Sequence, residues 1–213
     1  MNNCTINSVH CTKFLGLIID DKLTWSDHIR EITKKVAKTV GIISRIRHFL
    51  PTNVLLTLYD SLILPHLNYG IILWGSSATS YLIRLVSLQK RCLRLITNSP
   101  YLSPPSPLFL RLKLLRLNDL FNYQIGIFLY NYTQNCLPEV FDSFFTENCN
   151  FHNYPTRTGN DLTQPYTRTM FAHSQIRSSG VLFWNSLSHH VKTSHTLNIF
   201  KRRLKSLLIA TYD

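Results

Sequence analysis

Apolar residues recur at intervals of three and four along residues 29–50, and this spacing constrains the fold more than any other feature. The stripe consists of Ile29, Ile32, Val36, Val40, Ile43, Ile46 and Leu50. Such spacing places the side chains on one side of an α-helix. We expect the helix to begin after a cap at Thr24 or Ser26 and to end near Phe49, before Pro51. Four basic residues fall on its opposite side and form a basic ridge: Arg30, Lys34, Lys38 and Arg45.

Similar patterns predict that most of the chain is helical. The expected helices cover residues 53–64, a short piece ending near 75, 79–97, 108–115, 118–135, 138–145 and a closing helix from 197. Residues 146–178 are polar and predicted to be irregular, and Trp74 and Trp184 lie in apolar runs typical of a core. The fold class predicted is mainly α.

One β segment is expected near the N-terminus. Residues 13–19 form a short apolar run between polar residues, which suits a buried strand. Gly16 within this run indicates a bulge or a close approach of another backbone. The Pro- and Ser-rich segment 101–107 predicts a linker between a helical bundle at 21–100 and a second helical region at 108–213.

The charge of the chain predicts an anionic partner. The 213 residues carry a net charge of +12, and their 45% apolar content is sufficient for a core. This balance favours binding to nucleic acid or to an acidic membrane surface. Residues 61–118 contain no Asp or Glu but seven cations: Arg84, Lys90, Arg91, Arg94, Arg111, Lys113 and Arg116.

A membrane-spanning segment is not expected. The longest uncharged stretch, residues 61–83, is interrupted by Pro65, His66, Asn68 and Gly70, and polar or helix-breaking groups are costly at mid-bilayer. The N-terminus lacks a signal-peptide pattern, and the five cysteines are scattered and odd in number. We therefore expect an intracellular protein of the nucleus or cytoplasm with reduced thiols.

The sequence does not support a nucleotide-binding, hydrolytic or metal-binding motif. No glycine-rich nucleotide loop is present, so no small-molecule substrate is expected. No nucleophile elbow indicates hydrolysis. Cys136, Cys149 and His152 are spaced C-x12-C-x2-H but lack a fourth ligand, so no metal site is predicted.

Five segments in order resemble a known family: KFLGLIIDDKLTWSDHI at 13–29, PHLNYGIILWG at 65–75, LQKRCLRLIT at 88–97, HNYPTR at 152–157 and FWNSL at 183–187. They resemble the C-terminal part of reverse transcriptases of non-LTR (LINE-type, jockey-like) retrotransposons. The resemblance implies that residues 1–20 end the polymerase palm and that 21–100 form a thumb-like bundle. It also implies that the chain is detached from the catalytic palm and fingers, which are expected partners.

The adjacent carboxylates Asp20 and Asp21 look like a polymerase active site but are not predicted to be one. In the family, the catalytic Asp pair precedes an aromatic-Leu-Gly segment called the primer grip, which Phe14-Leu15-Gly16 resembles. Two-metal catalysis also needs carboxylates that converge from different strands, whereas neighbours on an extended chain point to opposite faces. We expect the pair to cap the strand and start the turn into the helix. No catalytic residue is predicted, and Mg²⁺ is expected only with the palm.

The resemblance makes RNA or an RNA–DNA duplex the expected partner. The basic ridge, together with Arg91 and Arg94 on another helix, is then predicted to contact phosphates. The resemblance implies that Phe14, Leu15 and Gly16 also contact nucleic acid. Tyr154 and Arg157 have the chemistry to stack on a base and hold a phosphate, but a structural role, with the 152–157 loop fixed onto the helical body, is the interpretation we favour. Two alternatives stay open: the ridge is an ordinary solvated face, or the chain is a structural remnant or protein-interaction module.

Overall fold

The computed structural model describes residues 9–148 and 161–212, and the chain divides into two compact units, Met1–Ser103 and Pro104–Asp213. The first unit contains β1 (Cys11–Phe14), β2 (Leu17–Asp20), α1 (Ser26–Ile46), α2 (Thr52–Leu62), α3 (Leu64–Asn68), α4 (Ile71–Trp74) and α5 (Thr79–Ile96). The second contains α6 (Pro105–Leu112), α7 (Leu117–Thr133), α8 (Met170–Ser174), α9 (Val181–Ser186), α10 (His189–Lys192) and α11 (Leu197–Ala210). The mainly α fold with a short N-terminal β segment is confirmed. The assignment of these units to palm end, thumb and downstream region stays a prediction.

The apolar run near the N-terminus forms a hairpin and not the single buried strand that was predicted. β1 and β2 pair antiparallel, with Phe14 opposite Leu17. The two residues between them, Leu15 and Gly16, have φ values of 46° and 84°, which is the left-handed pair of a tight two-residue turn. Gly16 therefore reverses the chain where we expected a bulge, and β1 is exposed along its whole length.

The hairpin is held against the segment that joins α3 to α4. The Tyr69 hydroxyl donates a hydrogen bond to the Leu15 carbonyl. Gly70 has φ of 62°, and a Cβ there would lie 2.8 Å from a methyl group of Leu17. Both the backbone conformation and the contact with Leu17 thus require glycine at position 70.

Asp20 organises the turn from the hairpin into α1. Its two carboxylate oxygens accept hydrogen bonds from the backbone N–H groups of Thr24 (2.9 Å) and Trp25 (2.7 Å). Lys22 N–H and the Thr24 hydroxyl donate to the same carboxylate at 3.2 Å. Trp25, and not Thr24 or Ser26, occupies the position before the helix, and it has no side-chain cap bond. The Thr24 hydroxyl nevertheless accepts the N–H of Ser26, the first residue of α1, at 3.4 Å, while Asp20 fixes the turn that precedes the helix.

His28 and the two tryptophans near it connect the hairpin to the helices. The Ile18 N–H donates to His28 Nδ1 at 3.3 Å, and the imidazole packs edge-on against Trp25 and Trp74, with ring centroids 6.3 and 6.1 Å away. Burial, together with the nearby charge of Lys35, lowers the pKa of His28. The neutral ring is therefore part of the core, and Trp74 is fully buried as predicted.

The apolar stripe of α1 was predicted correctly as far as Ile43, but Ile46 and Leu50 are half-buried, α1 ends at Ile46, and several other boundaries also differ from the prediction. In α1, the stripe residues from Ile29 to Ile43 are buried, and the four ridge cations are exposed. Pro65 starts α3 instead of merely ending α2, because proline is tolerated in the first turn, where its missing N–H is not needed.

The predicted helix at 138–145 is only a 3₁₀ turn at Glu139–Phe141. The Tyr132 hydroxyl donates to the carbonyls of Asp142 (3.2 Å) and Phe145 (2.8 Å), which gives these groups a partner outside any helix. Part of the predicted irregular segment is helical instead. The Thr169 hydroxyl accepts the Ala172 N–H and caps α8, and a π-helical turn follows at Ile176–Gly180.

The second unit is built on the close approach of α7 and α11. A Cβ on Gly126 of α7 would lie 2.5 Å from a methyl group of Leu204, so glycine lets the two helices approach. The Tyr130 ring stacks on Phe200 at 4.5 Å, and Trp184 packs beside Phe200 as a core residue, as predicted. Tyr212 donates to Asp119 at 2.6 Å and ties the end of the described chain to α7.

Asn185 explains the FWNSL segment. Its amide donates to the Leu162 carbonyl at 2.8 Å, and its carbonyl accepts the Leu162 N–H at 3.1 Å. Lys192 reinforces the contact through an ion pair with Asp161 at 3.0 Å. Asn185 thus holds the chain where it re-enters the described structure after residue 160.

None of the helices in residues 9–148 and 161–212 is long and apolar enough to cross a membrane.

The turn at Leu15 predicts a stabilising substitution. A leucine in the left-handed region carries a steric cost that asparagine largely avoids. We expect Leu15→Asn to raise the free energy of unfolding by about 1 kcal/mol in urea denaturation, because Asn-Gly is the preferred sequence of such a turn. Phe14→Asn is the control, since Phe14 is similarly exposed but does not have positive φ. An equal or lower stability of Leu15→Asn would contradict this reading of the turn.

Asp20 predicts an acid-sensitive fold. Burial alone would raise the pKa of Asp20, but the hydrogen bonds from Thr24, Trp25 and Lys22 outweigh it and hold the pKa below its ordinary value of 3.8. Its contribution is therefore fully present above pH 3.8 and is lost as the pH falls below that value. We expect Asp20→Asn to lower the unfolding free energy at pH 7 by about 2 kcal/mol and to reduce the loss of stability on acidification.

The matched control is Asp21→Asn, because Asp21 is exposed and contacts only His10, at 3.3 Å. It should change stability by less than about 0.5 kcal/mol. Equal effects of the two variants in chemical denaturation at pH 7 and pH 3 would show that Asp20 has no special role in the turn.

Candidate nucleic-acid interface

A groove of about 1150 Å³ runs between α1 and α5. On α1 it is lined by residues 26–37, and on α5 by residues 80–94. The α1 positions follow spacings of three and four: Ser26, Ile29, Arg30, Thr33, Lys34 and Ala37. The α5 positions do the same, since Tyr81, Arg84, Ser87, Leu88, Arg91 and Arg94 all face the groove. The groove is therefore the surface that borders the packed apolar stripes of both helices.

Among the residues that the structure describes, six cations and no carboxylate line the groove. The cations are Arg30, Lys34, Arg84, Lys90, Arg91 and Arg94. Arg30 pairs with Asp27, three residues earlier, at 2.5 Å, but an exposed pair of this kind contributes little and competes weakly with an external anion. Within the described parts of the chain, Lys34, Arg84, Lys90 and Arg91 form no ion pair. Their charges are available to an anionic ligand.

Arg94 is held in place at one end of the groove. Its Nε donates to the Ser103 carbonyl at 3.0 Å, and its guanidinium carbon lies 5.9 Å from the centre of the Tyr101 ring. A second cavity of about 480 Å³ shares Arg91, Arg94 and Tyr101 with the groove and adds Arg47. The cationic surface thus continues past Arg94 toward the C-terminal end of α1.

The structure brings together some of the predicted binding residues and separates others. Arg30 and Lys34 of the basic ridge line the same groove as Arg91 and Arg94, which the sequence placed on a different helix. Lys38 and Arg45 are exposed on α1 but do not line it. Whether any of these residues contacts nucleic acid stays a prediction.

The remaining predicted residues lie elsewhere. Phe14 and Leu15 are 61% and 73% exposed at the hairpin and, like Gly16, do not line the groove. Tyr154 and Arg157 lie outside the described residues, so their predicted contacts are not tested.

Sequence reasoning missed several residues that the groove assembles. Arg84 and Lys90 were noted only for their charge, and Arg47 and Tyr81 were not considered. A signal was present for part of this set, because Tyr81, Arg84, Arg91 and Arg94 follow helical spacing along one face of α5. The sequence did not show that this face lies beside α1.

The carboxylate pair is arranged as predicted for a turn. Asp20 is buried, and both of its oxygens accept bonds from the turn residues, whereas Asp21 is exposed beside His10. In residues 9–148 and 161–212, no group of three or more His, Cys, Asp or Glu side chains is placed to hold a metal ion. Cys149 and His152 fall outside these ranges.

Comparison with known proteins relates the chain to RNA-directed DNA polymerases of mobile elements. It is 32% identical over 117 residues to the probable RNA-directed DNA polymerase from transposon X-element of Drosophila melanogaster, over 53% of this chain and 13% of that protein. It is also 32% identical over 123 residues to the RNA-directed DNA polymerase from mobile element jockey of the same species, over 56% of this chain and 13% of that protein. A third relative, the probable polymerase from transposon BS, is 32% identical over 95 residues.

These similarities confirm the resemblance to non-LTR retrotransposon reverse transcriptases that the sequence segments indicated. The matched region spans only 10–13% of the length of these relatives. No protein-family model matches the chain, and no solved structure matches it.

Proposed function

We propose that the chain is part of the RNA-directed DNA polymerase of a non-LTR retrotransposon and that it binds nucleic acid in the groove between α1 and α5. The observation that carries this proposal is the groove itself, whose lining in residues 9–148 and 161–212 contains six cations and no carboxylate. Cations on two helices facing one concave surface favour a polyanion over a single small anion. The polymerase relatives support a nucleic acid as this polyanion, since an RNA-directed polymerase must hold its template and its product.

The chemistry of the groove favours binding without sequence selection. Asparagine, glutamine, aspartate and glutamate are absent from its lining in the described structure, and these side chains read adenine and cytosine edges. Lysine, arginine, serine and threonine remain, and these commonly contact phosphate oxygens, although arginine and lysine also bind the edge of guanine. A polymerase needs this tolerance, because the same surface must accept every sequence that is copied. RNA or an RNA–DNA duplex is the partner class we propose.

A second function is favoured by the hairpin. Phe14 and Leu15 are largely exposed apolar side chains, and β1 is exposed along its length. An exposed two-stranded edge with an apolar tip suits contact with another protein segment. We propose that the hairpin contacts the palm and fingers of the polymerase, while the groove holds the nucleic acid.

The proposed phosphate contacts predict a salt dependence that two matched variants separate. Lys34→Gln with Arg91→Gln removes one unpaired cation from each wall of the groove. Lys38→Gln with Arg45→Gln removes the same total charge from exposed positions of α1 outside it. Each phosphate contact contributes about −0.7 to −0.9 to the slope of log K against log salt. We expect the groove variant to flatten the slope by about 1.5 and the control by less than about 0.5.

The measurement is fluorescence anisotropy of a labelled RNA and of a labelled RNA–DNA hybrid. The salt concentration is varied from about 50 to about 300 mM, which brackets the physiological ionic strength. Melting temperatures should stay within about 2 °C in both variants, because exposed charges contribute little to stability. Binding that does not respond to salt, or that falls equally in both variants, would overturn the groove as the site.

A second prediction concerns catalysis. Because the Asp20 oxygens already accept hydrogen bonds from the turn, we propose that the carboxylates that hold Mg²⁺ in the polymerase are not Asp20 and Asp21. The 213-residue polypeptide should therefore show no primer extension with Mg²⁺ or Mn²⁺. Dose-dependent synthesis that disappears in Asp21→Asn, a variant expected to fold normally, would contradict this proposal.

A further inference from the structure

We infer that the groove between α1 and α5 takes a single strand of nucleic acid, whose bases stack on Tyr81 and Tyr101, in preference to a duplex. This inference rests on the proposed nucleic-acid binding and adds the form of the ligand. It depends on two features of the groove that phosphate contacts alone do not use: its exposed aromatic rings and its apolar surface.

The apolar residues of the groove would make few favourable contacts with a duplex. Ala37, Ile83 and Leu88 lie among the cations with accessible apolar surface, and Ile83 is 57% exposed. A duplex presents phosphates and sugars on its outside and keeps its bases stacked within, so apolar side chains in a concave surface gain few contacts with it. A single strand exposes the faces of its bases, which apolar and aromatic side chains cover well.

The two tyrosines have the accessibility that base stacking needs. Tyr101 is 79% exposed and Tyr81 is 41% exposed, and both line the groove. A tyrosine face provides a stacking surface for any base, so its use does not require a particular sequence. Stacking is thus compatible with the sequence tolerance that the cations indicate.

Arg94 places a positive charge beside one of these rings, that of Tyr101. Because its Nε donates to the Ser103 carbonyl, the guanidinium is held near the Tyr101 ring. A strand whose base stacks on Tyr101 would therefore meet a fixed positive charge beside its phosphate. Tyr101 also lines the smaller cavity that contains Arg47, so a strand can continue past this ring and still contact cations.

The length of the groove sets the size of the ligand. Along α5 it extends from Ser80 to Arg94, about 21 Å at 1.5 Å per residue. At about 3.4 Å per stacked nucleotide, this length corresponds to roughly six nucleotides. A 12-nucleotide strand therefore fills the groove with nucleotides to spare, and its hybrid with complementary DNA has the same length for comparison.

The test compares these two ligands in fluorescence anisotropy. The probes are a labelled 12-nucleotide RNA of mixed, unpaired sequence and the same RNA annealed to its DNA complement. We expect the full chain to bind the single strand at least about fivefold more tightly. Tyr81→Leu with Tyr101→Leu should weaken single-strand binding by about tenfold or more and hybrid binding by much less, because the cations that contact phosphates are kept. Both salt slopes should stay the same for that reason.

Two controls separate stacking from folding and from general surface effects. Tyr81→Phe with Tyr101→Phe keeps both aromatic faces and should retain the single-strand affinity. Tyr166→Leu removes a tyrosine that is 95% exposed and does not line the groove, so it should bind as the unchanged chain does. Loss of affinity in the Phe variant would show that the hydroxyls, and not the ring faces, are required, and would overturn the inference.

The outcomes also distinguish this inference from the proposed function. Equal affinity for strand and hybrid, or tighter hybrid binding, would overturn the single-strand preference. If that binding still depends on salt, the groove remains supported as the nucleic-acid site. Absence of binding to both probes would overturn both proposals. A single-strand preference that is lost in the Leu variant and kept in the Phe variant would support both.

Discussion

The packing of α1 against α5 determines the arrangement of the first unit and of its candidate site. The buried stripe of α1, from Ile29 to Ile43, meets the buried face of α5, which includes Leu85, Cys92 and Leu93. Each fully buried aliphatic side chain contributes about 1.5–3 kcal/mol, whereas an exposed pair of charges changes stability by about 1 kcal/mol or less. The apolar contact therefore outweighs the repulsion among the cations beside it. The cations lie together because the residues that border each apolar stripe also border the groove. The free energy of apolar burial offsets the repulsion among these cations.

The segments that carry the resemblance are in large part internal contacts of the fold. Tyr69 and Gly70, from the second segment, hold Leu15 and Leu17 of the first. Asn185, from the last segment, binds the backbone of Leu162. The third segment, LQKRCLRLIT, supplies both kinds of residue, since Cys92 and Leu93 are buried while Arg91 and Arg94 line the groove. The end of the first segment also borders the groove, through Ser26 and Ile29, which carry no charge. Similarity to the polymerases of mobile elements therefore speaks mainly for a shared fold, and the case for nucleic-acid binding depends on the groove.

The sequence predicts an element well where an apolar pattern repeats over many consecutive residues. It predicts poorly where a hydrogen bond or contact from another part of the chain determines the local structure. The stripe of α1 repeats at helical spacing, so five of its seven residues, from Ile29 to Ile43, were correctly predicted to be buried, whereas Ile46 and Leu50 are half-buried. Thr24 and Ser26 are good capping residues, but Trp25 occupies the position before α1, because Asp20 accepts the N–H groups of Thr24 and Trp25 and so fixes the turn. The reversal at Leu15 was hidden because leucine is a rare choice for positive φ. The groove was not predictable from one helix at a time, since its two walls begin more than fifty residues apart in the chain.

The first unit thus presents two surfaces of different chemistry, and their difference favours different ligands for them. The hairpin tip is apolar and has an unfavourable backbone conformation at Leu15. Such a conformation persists where neighbouring groups hold it, as the Tyr69 hydroxyl holds the Leu15 carbonyl, although asparagine would form the same turn at lower cost. The groove is cationic, and its exposed rings are suited to bases and not to apolar protein surfaces. A protein partner at the tip and a nucleic-acid strand in the groove can be bound together, because the residues that line the groove and those that form the tip do not overlap.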